Sequence, residues 1–159
     1  MRKIEFITSN NCLYHIYNRG VDKRTIFNNE TDLLRFIHDL YEFNDTKPAK
    51  QFSRAKNRSL NHNITKEKRE LFVEILAYCL MPNHFHLMLR QKKDRGIEEF
   101  MHKLGTGYTM YFNRKNERSG VLFQGRFKAV PVKKETQLRY LIYYIHTCLL
   151  YTSPSPRDL

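Results

Sequence analysis

The chain has 159 residues with 28 Lys plus Arg against 16 Asp plus Glu, a formal net charge of +12 and a pI near 9.7. One domain with a real hydrophobic core fits that length, no apolar run approaches membrane-spanning length and no charged-then-apolar leader opens the chain, so a soluble, cytoplasmic protein is expected. Such a cationic excess attracts polyanions, and tyrosines interleaved with basic residues suit stacking bases, so the expected partner is nucleic acid, single strands above all.

The first predicted element is Leu13–Arg19, a short run rich in tyrosine and β-branched or aromatic residues that ends at Gly20 and reads as a strand. Residues 30–43 carry Leu33, Leu34, Phe36, Ile37, Leu40 and Tyr41 on one helical face, with Asn29 or Thr31 placed to cap it. Residues 45–69 then turn polar and basic with few apolar anchors, which predicts a flexible basic loop. Residues 71–81 and 84–91 read as two strands of a hairpin turning through Pro82-Asn83, a pair suited to the centre of a tight turn.

From Ile97, the residues Phe100, Met101, Leu104, Tyr108, Tyr111 and Phe112 recur at three-and-four spacing, predicting a long helix despite Gly105 and Gly107. Two glycines inside a helix suggest close packing against another backbone. Residues 126–132 alternate as a fourth strand, placed at a sheet edge by Pro131, and 136–147 close the chain as a helix. The order strand, helix, strand, strand, helix, strand, helix is a split β-α-β repeat with one extra C-terminal helix. The expected fold is thus α+β and ferredoxin-like (RRM-like), an antiparallel sheet with helices on one face and the other face free for a ligand.

Cys12, Cys79 and Cys148 are too few and too scattered for a disulfide frame or a zinc ribbon. Cys12 and Cys79 lie in apolar strand-like runs and read as buried free thiols.

The most informative segment is Tyr78-Cys-Leu-Met-Pro-Asn-His-Phe-His-Leu-Met-Leu-Arg90, a tight turn feeding a strand that opens His-Phe-His. Successive strand side chains alternate, so His84 and His86 share a face, about 7 Å apart along the chain, while Phe85, Leu87 and Leu89 line the other. Two neutral imidazoles so placed can chelate a divalent ion, although a wet strand face carrying two structural histidines has the same pattern. On the last helix Leu138, Leu141, Ile142 and Ile145 form the apolar stripe, with Tyr144 on one flank, Tyr143 on the other and Tyr140 toward solvent. Residue 148 lies one turn beyond Tyr144.

Four separated motifs in order, Tyr-His-Ile-Tyr-Asn-Arg-Gly, Met-Pro-Asn-His-Phe-His-Leu-Met-Leu, Tyr-Phe-Asn-Arg-Lys with Leu-Phe-Gln-Gly-Arg-Phe-Lys, and Tyr-Ile-His, resemble the REP-associated tyrosine transposases. These belong to the single-tyrosine HUH transposases of the insertion-sequence-two-hundred type, and the likeness spans residues 2–147. The resemblance implies a nuclease and strand transferase for single-stranded DNA, with a hairpin or palindromic repeat as substrate. It further implies that His84 and His86 bind magnesium or manganese, and that Tyr144 attacks phosphorus to leave a 5′-phosphotyrosine and a free 3′-OH. The segment holding Gln124, Arg126 and Lys128 would approach DNA and Arg90 could add electrostatic help, although each of these cations reads first as a solvated surface charge. Tyr108, on the long helix after the His-Phe-His strand, is the rival nucleophile and otherwise a core residue. His146 borders the closing helix and reads as incidental. The family leaves the oligomeric state between monomer and homodimer.

Family members carry a carboxamide ligand one turn after the tyrosine, where this chain has Cys148. From there Cys-Leu-Leu-Tyr-Thr-Ser-Pro-Ser-Pro-Arg-Asp looks like the in-frame translation of a transposon-based sequencing-library adapter. The expected organisation is therefore a transposase domain over 1–147 and a non-native tail over 148–159, with the native C-terminal region replaced and metal binding impaired, since a thiolate suits zinc better than magnesium or manganese. Two other readings compete: a non-catalytic hairpin-binding module, and a metal phosphoesterase that uses water in place of tyrosine.

Overall fold

A computed structural model describes residues 11–48 and 69–148. Strands β1 (Leu13–Arg19), β2 (Val73–Met81), β3 (His84–Gln91) and β4 (Lys128–Pro131) form one antiparallel sheet in the order β2-β3-β1-β4. Helices α1 (Glu30–Glu42), α2 (Gly96–Lys115) and α3 (Glu135–Cys148) complete the α+β fold expected from the sequence. Residues 49–68, most of the expected basic loop, lie outside the described residues, as do 149–159. The two ends of that loop meet: the Thr46 amide donates to the Glu70 carbonyl at 3.0 Å, and Arg69 pairs with Asp45 at 3.4 Å.

Alternation on the central strands sorts the side chains. Tyr14 and Ile16 of β1 and Phe85, Leu87 and Leu89 of β3 enter a core with Phe36 and Leu40 of α1 and Phe100, Leu104, Tyr108 and Phe112 of α2. Asn29 caps α1, its side chain accepting from the Asp32 amide at 3.1 Å. Asp32, fully buried, ties α1 to α2 by accepting from Lys115 Nζ at 2.6 Å and Tyr111 Oη at 2.8 Å.

Three expectations need correction. The second sheet face is not left open, because α3 packs across it: Leu141 and Ile145 bury against Cys79 and Met88, with Leu138, Ala77 and Met81 around them. The stripe on α3 is apolar enough to need cover, and the small or flexible side chains of β2 and β3 on that face supply it. Cys12 is exposed, because it stands just before β1 in a turn where Asn11 has φ 72°. Gly105 and Gly107 do not mark a close backbone approach: a Cβ on Gly107 would strike the ring of Phe43, whereas one on Gly105 would enter open space.

The hairpin carrying the histidines is clamped from one side. The Gly20 amide donates to the Asn83 carbonyl at 2.8 Å, and the amides of Ile26 and Phe27 both donate to the Pro82 carbonyl. Gly20 is needed there because any Cβ would collide with the Arg24 carbonyl. A 3-10 turn at Val21–Lys23 puts Asp22 and Lys23 at φ 52° and 58°, so this clamp holds two side-chain-bearing residues in the left-handed region.

Candidate active site

The sheet register builds the site. His86 stands opposite Tyr17 on one side and Cys79 on the other, and Lys128 continues the row beyond Tyr17, so a single line crosses all four strands. The neighbouring row holds Met81, His84 and Arg19. All of these lie on the face that α3 partly covers.

His86 is the hub of the cluster. Its ring lies 5.1 Å from that of His84, 5.1 Å from His15, 5.8 Å from Tyr17 and 5.4 Å from Tyr144, centroid to centroid. The Tyr144 ring meets it edge-on at 86°, and Tyr140 stacks outside Tyr144 at 6.4 Å. His86 is only 6% exposed, whereas His84 and Tyr144 are half-buried.

Both ring Nδ1 atoms of the paired histidines have partners. His84 Nδ1 lies 2.7 Å from Asn83 Oδ1, an acceptor, which sets the Nδ1–H tautomer and leaves the lone pair on Nε2. His86 Nδ1 lies 2.9 Å from His15 Nε2. An imidazole anchored through one nitrogen so that the other can ligate is the usual support of metal-binding histidines. That chemistry fits a divalent ion accepting two imidazoles. Among the described residues no group of three or more His, Cys, Asp or Glu gathers to complete such a set. Between the two ions expected, manganese accepts imidazole nitrogen more readily than magnesium, which demands oxygen.

The other predicted site residues divide. Gln124 joins the site: its side-chain oxygen accepts from Arg19 Nε, and its amide donates to the Arg19 carbonyl at 2.8 Å. Arg126 is exposed in the bend that follows, and Lys128 opens β4 at the end of the His86 row. Arg90 shares the face but stands about 13 Å along the strand from His86 and pairs with Glu74 at 2.7 Å, so it is not gathered with the rest. Tyr108 lies on the opposite face, fully buried, its hydroxyl donating to the Ile26 carbonyl at 2.6 Å, and burial raises its pKa far above the ordinary phenol value. It is a core residue. Tyr143 points outward at 69% exposure. The side chains of His146 and Cys148 lie outside the described residues.

Three members of the cluster, His15, Tyr17 and Arg19, have no site role in the sequence reading above. The signal is nonetheless present. Alternation along Leu13–Arg19 puts these three on one face, and a split β-α-β order makes the first and third strands neighbours. Asn83 has a second role beyond its place in the turn. A cavity of about 800 Å³ lies elsewhere, on the opposite face between α2 and residues 120–127, lined by Met101, Gly105, Thr109, Phe123 and Phe127 among others.

The family described as transposase IS200 like matches residues 8–148 of the chain. A solved structure of a REP-associated tyrosine transposase bound to a REP hairpin is similar in fold, with a TM-score of 0.57 and 13% identity over 94% of this chain and 73% of that one. A candidate transposase from Deinococcus radiodurans R1 is also similar, with a TM-score of 0.50 and 15% identity over 93% of this chain and 98% of its own. No curated protein matches the chain.

Proposed function

The chain belongs to the IS200-like transposase family, and from that membership we propose that it nicks and rejoins single-stranded DNA through a covalent bond to Tyr144. The observation that carries this reading is the edge-on packing of the Tyr144 ring on His86, with His84 next to it. A nucleophile and two imidazoles from distant parts of the sequence converge on the same few ångströms of surface.

In the proposed step Tyr144 Oη bonds to phosphorus as the bond from phosphorus to the 3′ oxygen breaks. The phenol loses its proton and the departing 3′ oxygen gains one, leaving a 5′-phosphotyrosine and a 3′-OH. Rejoining is the reverse attack by a 3′-OH, which needs no ATP because the phosphotyrosine retains the phosphodiester bond energy. A phenol of pKa about 10 is a weak nucleophile at neutral pH and needs its anion stabilised. His84 and His86 would hold a divalent ion, manganese or magnesium, which supplies charge neutralisation at the phosphate oxygens.

The remaining side chains serve substrate binding in this reading. Lys128 and Arg126 offer cations to the DNA backbone, and Arg19, oriented by Gln124, borders His84. Tyr17, half-exposed in the same row as His86 and Lys128, presents a ring on which a base can stack. A DNA hairpin is the substrate class, supported by the fold shared with a transposase bound to a REP hairpin.

The test is incubation of the full chain with labelled single-stranded hairpin DNA and manganese, followed by denaturing electrophoresis. A labelled protein adduct that survives denaturation is expected. Cleavage without an adduct would instead identify a phosphoesterase that uses water, and binding without cleavage a hairpin-holding module.

A further inference from the structure

The contact between His15 and His86 holds more than packing. Their rings stack at 5.1 Å and 21°, a geometry that any aromatic pair could adopt, yet Nε2 of His15 also lies 2.9 Å from Nδ1 of His86. One of those nitrogens must carry the proton, and the choice fixes the rest of both rings. If His86 Nδ1 donates, its lone pair sits on Nε2. If His15 Nε2 donates, His86 accepts at Nδ1 and in its neutral form carries its proton on Nε2, where it cannot ligate an ion.

We propose that His15 is a positioning residue whose Nε2 accepts the Nδ1 proton of His86 and thereby holds the lone pair of His86 on Nε2. The role presupposes the metal-assisted reading above, while the contact itself is a matter of local geometry. His15 is a diagonal neighbour of His86 across the β1–β3 ladder, since Tyr17 is directly opposite His86 and Met88 directly opposite His15. Its ring is also packed at 5.1 Å against Tyr17, so it is held between two ring neighbours. His84 has the matching arrangement through Asn83, whose carboxamide oxygen can only accept. The two histidines then carry the same tautomer, and each keeps a bare nitrogen for the ion, as an imidazole ligand must.

The test compares the wild-type chain with His15→Phe, which keeps a ring but removes the acceptor, and His15→Gln, whose carboxamide oxygen restores one. Long-range proton–nitrogen NMR on the metal-free protein, about two pH units above the ordinary imidazole pKa of about 6.5, reads the His86 tautomer directly. Manganese titration of the same samples reads ligand competence, and thermal unfolding confirms that each variant folds. Expected are an Nδ1–H tautomer in the wild type, loss of that preference with a 10–100-fold weaker manganese affinity in His15→Phe, and recovery of both in His15→Gln. An Nε2–H tautomer in the wild type, or a His15→Phe variant with tautomer and affinity unchanged, overturns the proposal. If the wild type shows Nδ1–H but binds no manganese, the metal reading falls while the control of the tautomer by His15 stands.

Discussion

The ring of Tyr144 meets the ring of His86 edge to face, centroids 5.4 Å apart, although one sits on the last helix and the other on a central strand. The contact exists because α3 lies across the sheet face that carries the histidines. Leu141 and Ile145, flanking Tyr144 on the same helix, are buried against Cys79 and Met88, so the apolar packing of α3 and the placement of the phenol are one event.

Tyr144→Phe is expected to abolish the DNA adduct while leaving hairpin affinity and folding unchanged, because the ring keeps its packing and loses only the hydroxyl. Tyr108→Phe is expected to do the opposite. It leaves the buried Ile26 carbonyl without the 2.6 Å donor and costs about 1–3 kcal/mol of stability, with adduct formation preserved. Denaturing gels and chemical unfolding check both. An adduct that survives in Tyr144→Phe would move the nucleophile to another tyrosine.

His84→Ala and His86→Ala are each expected to lower manganese affinity and adduct yield by at least about tenfold. They should differ in stability. His86 is almost wholly buried beneath four rings, so its truncation leaves a cavity and costs about 1–3 kcal/mol, whereas half-buried His84 costs less. Calorimetric titration with manganese and thermal melts separate the two effects.

How much of this arrangement was legible beforehand depends on the kind of signal. Among the described residues periodicity places every strand and α-helix, and the pair Pro82-Asn83 locates the turn, because these are local properties of the chain. The facing of His84 and His86 follows from the same alternation. What the local pattern lacks is the partner across a strand: His15 and Tyr17 reach His86 only through the β1–β3 register, a tertiary fact. The position of α3 is tertiary in the same way. Its apolar stripe announces that it must pack somewhere, but the choice of face depends on Cys79 and Met88, which look unremarkable in the linear chain. Arg90 shows the same limit, since its cross-strand partner Glu74 becomes visible only once β2 and β3 are paired.

Acid should weaken the bond between α1 and α2. Burial alone would raise the Asp32 pKa, but the hydrogen bonds from Lys115, Tyr111 and the Asn28 amide outweigh it, and the carboxyl sits below its ordinary value. A depressed folded pKa contributes stability that is present above the unfolded carboxylate value of about 3.9 and lost as pH falls through the folded one. Asp32→Asn is therefore expected to cost about 1–3 kcal/mol at neutral pH, the cost shrinking below about pH 4. Asp39 runs the other way. It is 1% exposed and its burial holds its pKa above the ordinary value despite the Arg35 ion pair at 2.8 Å, so its protonation favours the folded state as pH falls. Urea titrations of Asp32→Asn and Asp39→Asn across the acid range check the opposite slopes.

DNA binding should weaken steeply with salt, because each phosphate neutralised by a protein cation releases a counterion. On single strands the slope of log affinity against log salt is about −0.7 per neutralised phosphate, so a variant that loses one phosphate contact flattens the slope by roughly that amount. Lys128→Ala and Arg126→Ala are each expected to do so, since Lys128 is exposed at the edge-strand end of the His86 row and Arg126 is exposed in the bend just before it. Arg90→Ala serves as the contrast. Its guanidinium already pairs with Glu74 and lies some four strand positions from His86, so its removal should leave the slope unchanged. Fluorescence anisotropy with a hairpin oligonucleotide over a salt series measures all three, and a slope that flattens only in Arg90→Ala would place the DNA path along the other end of the sheet.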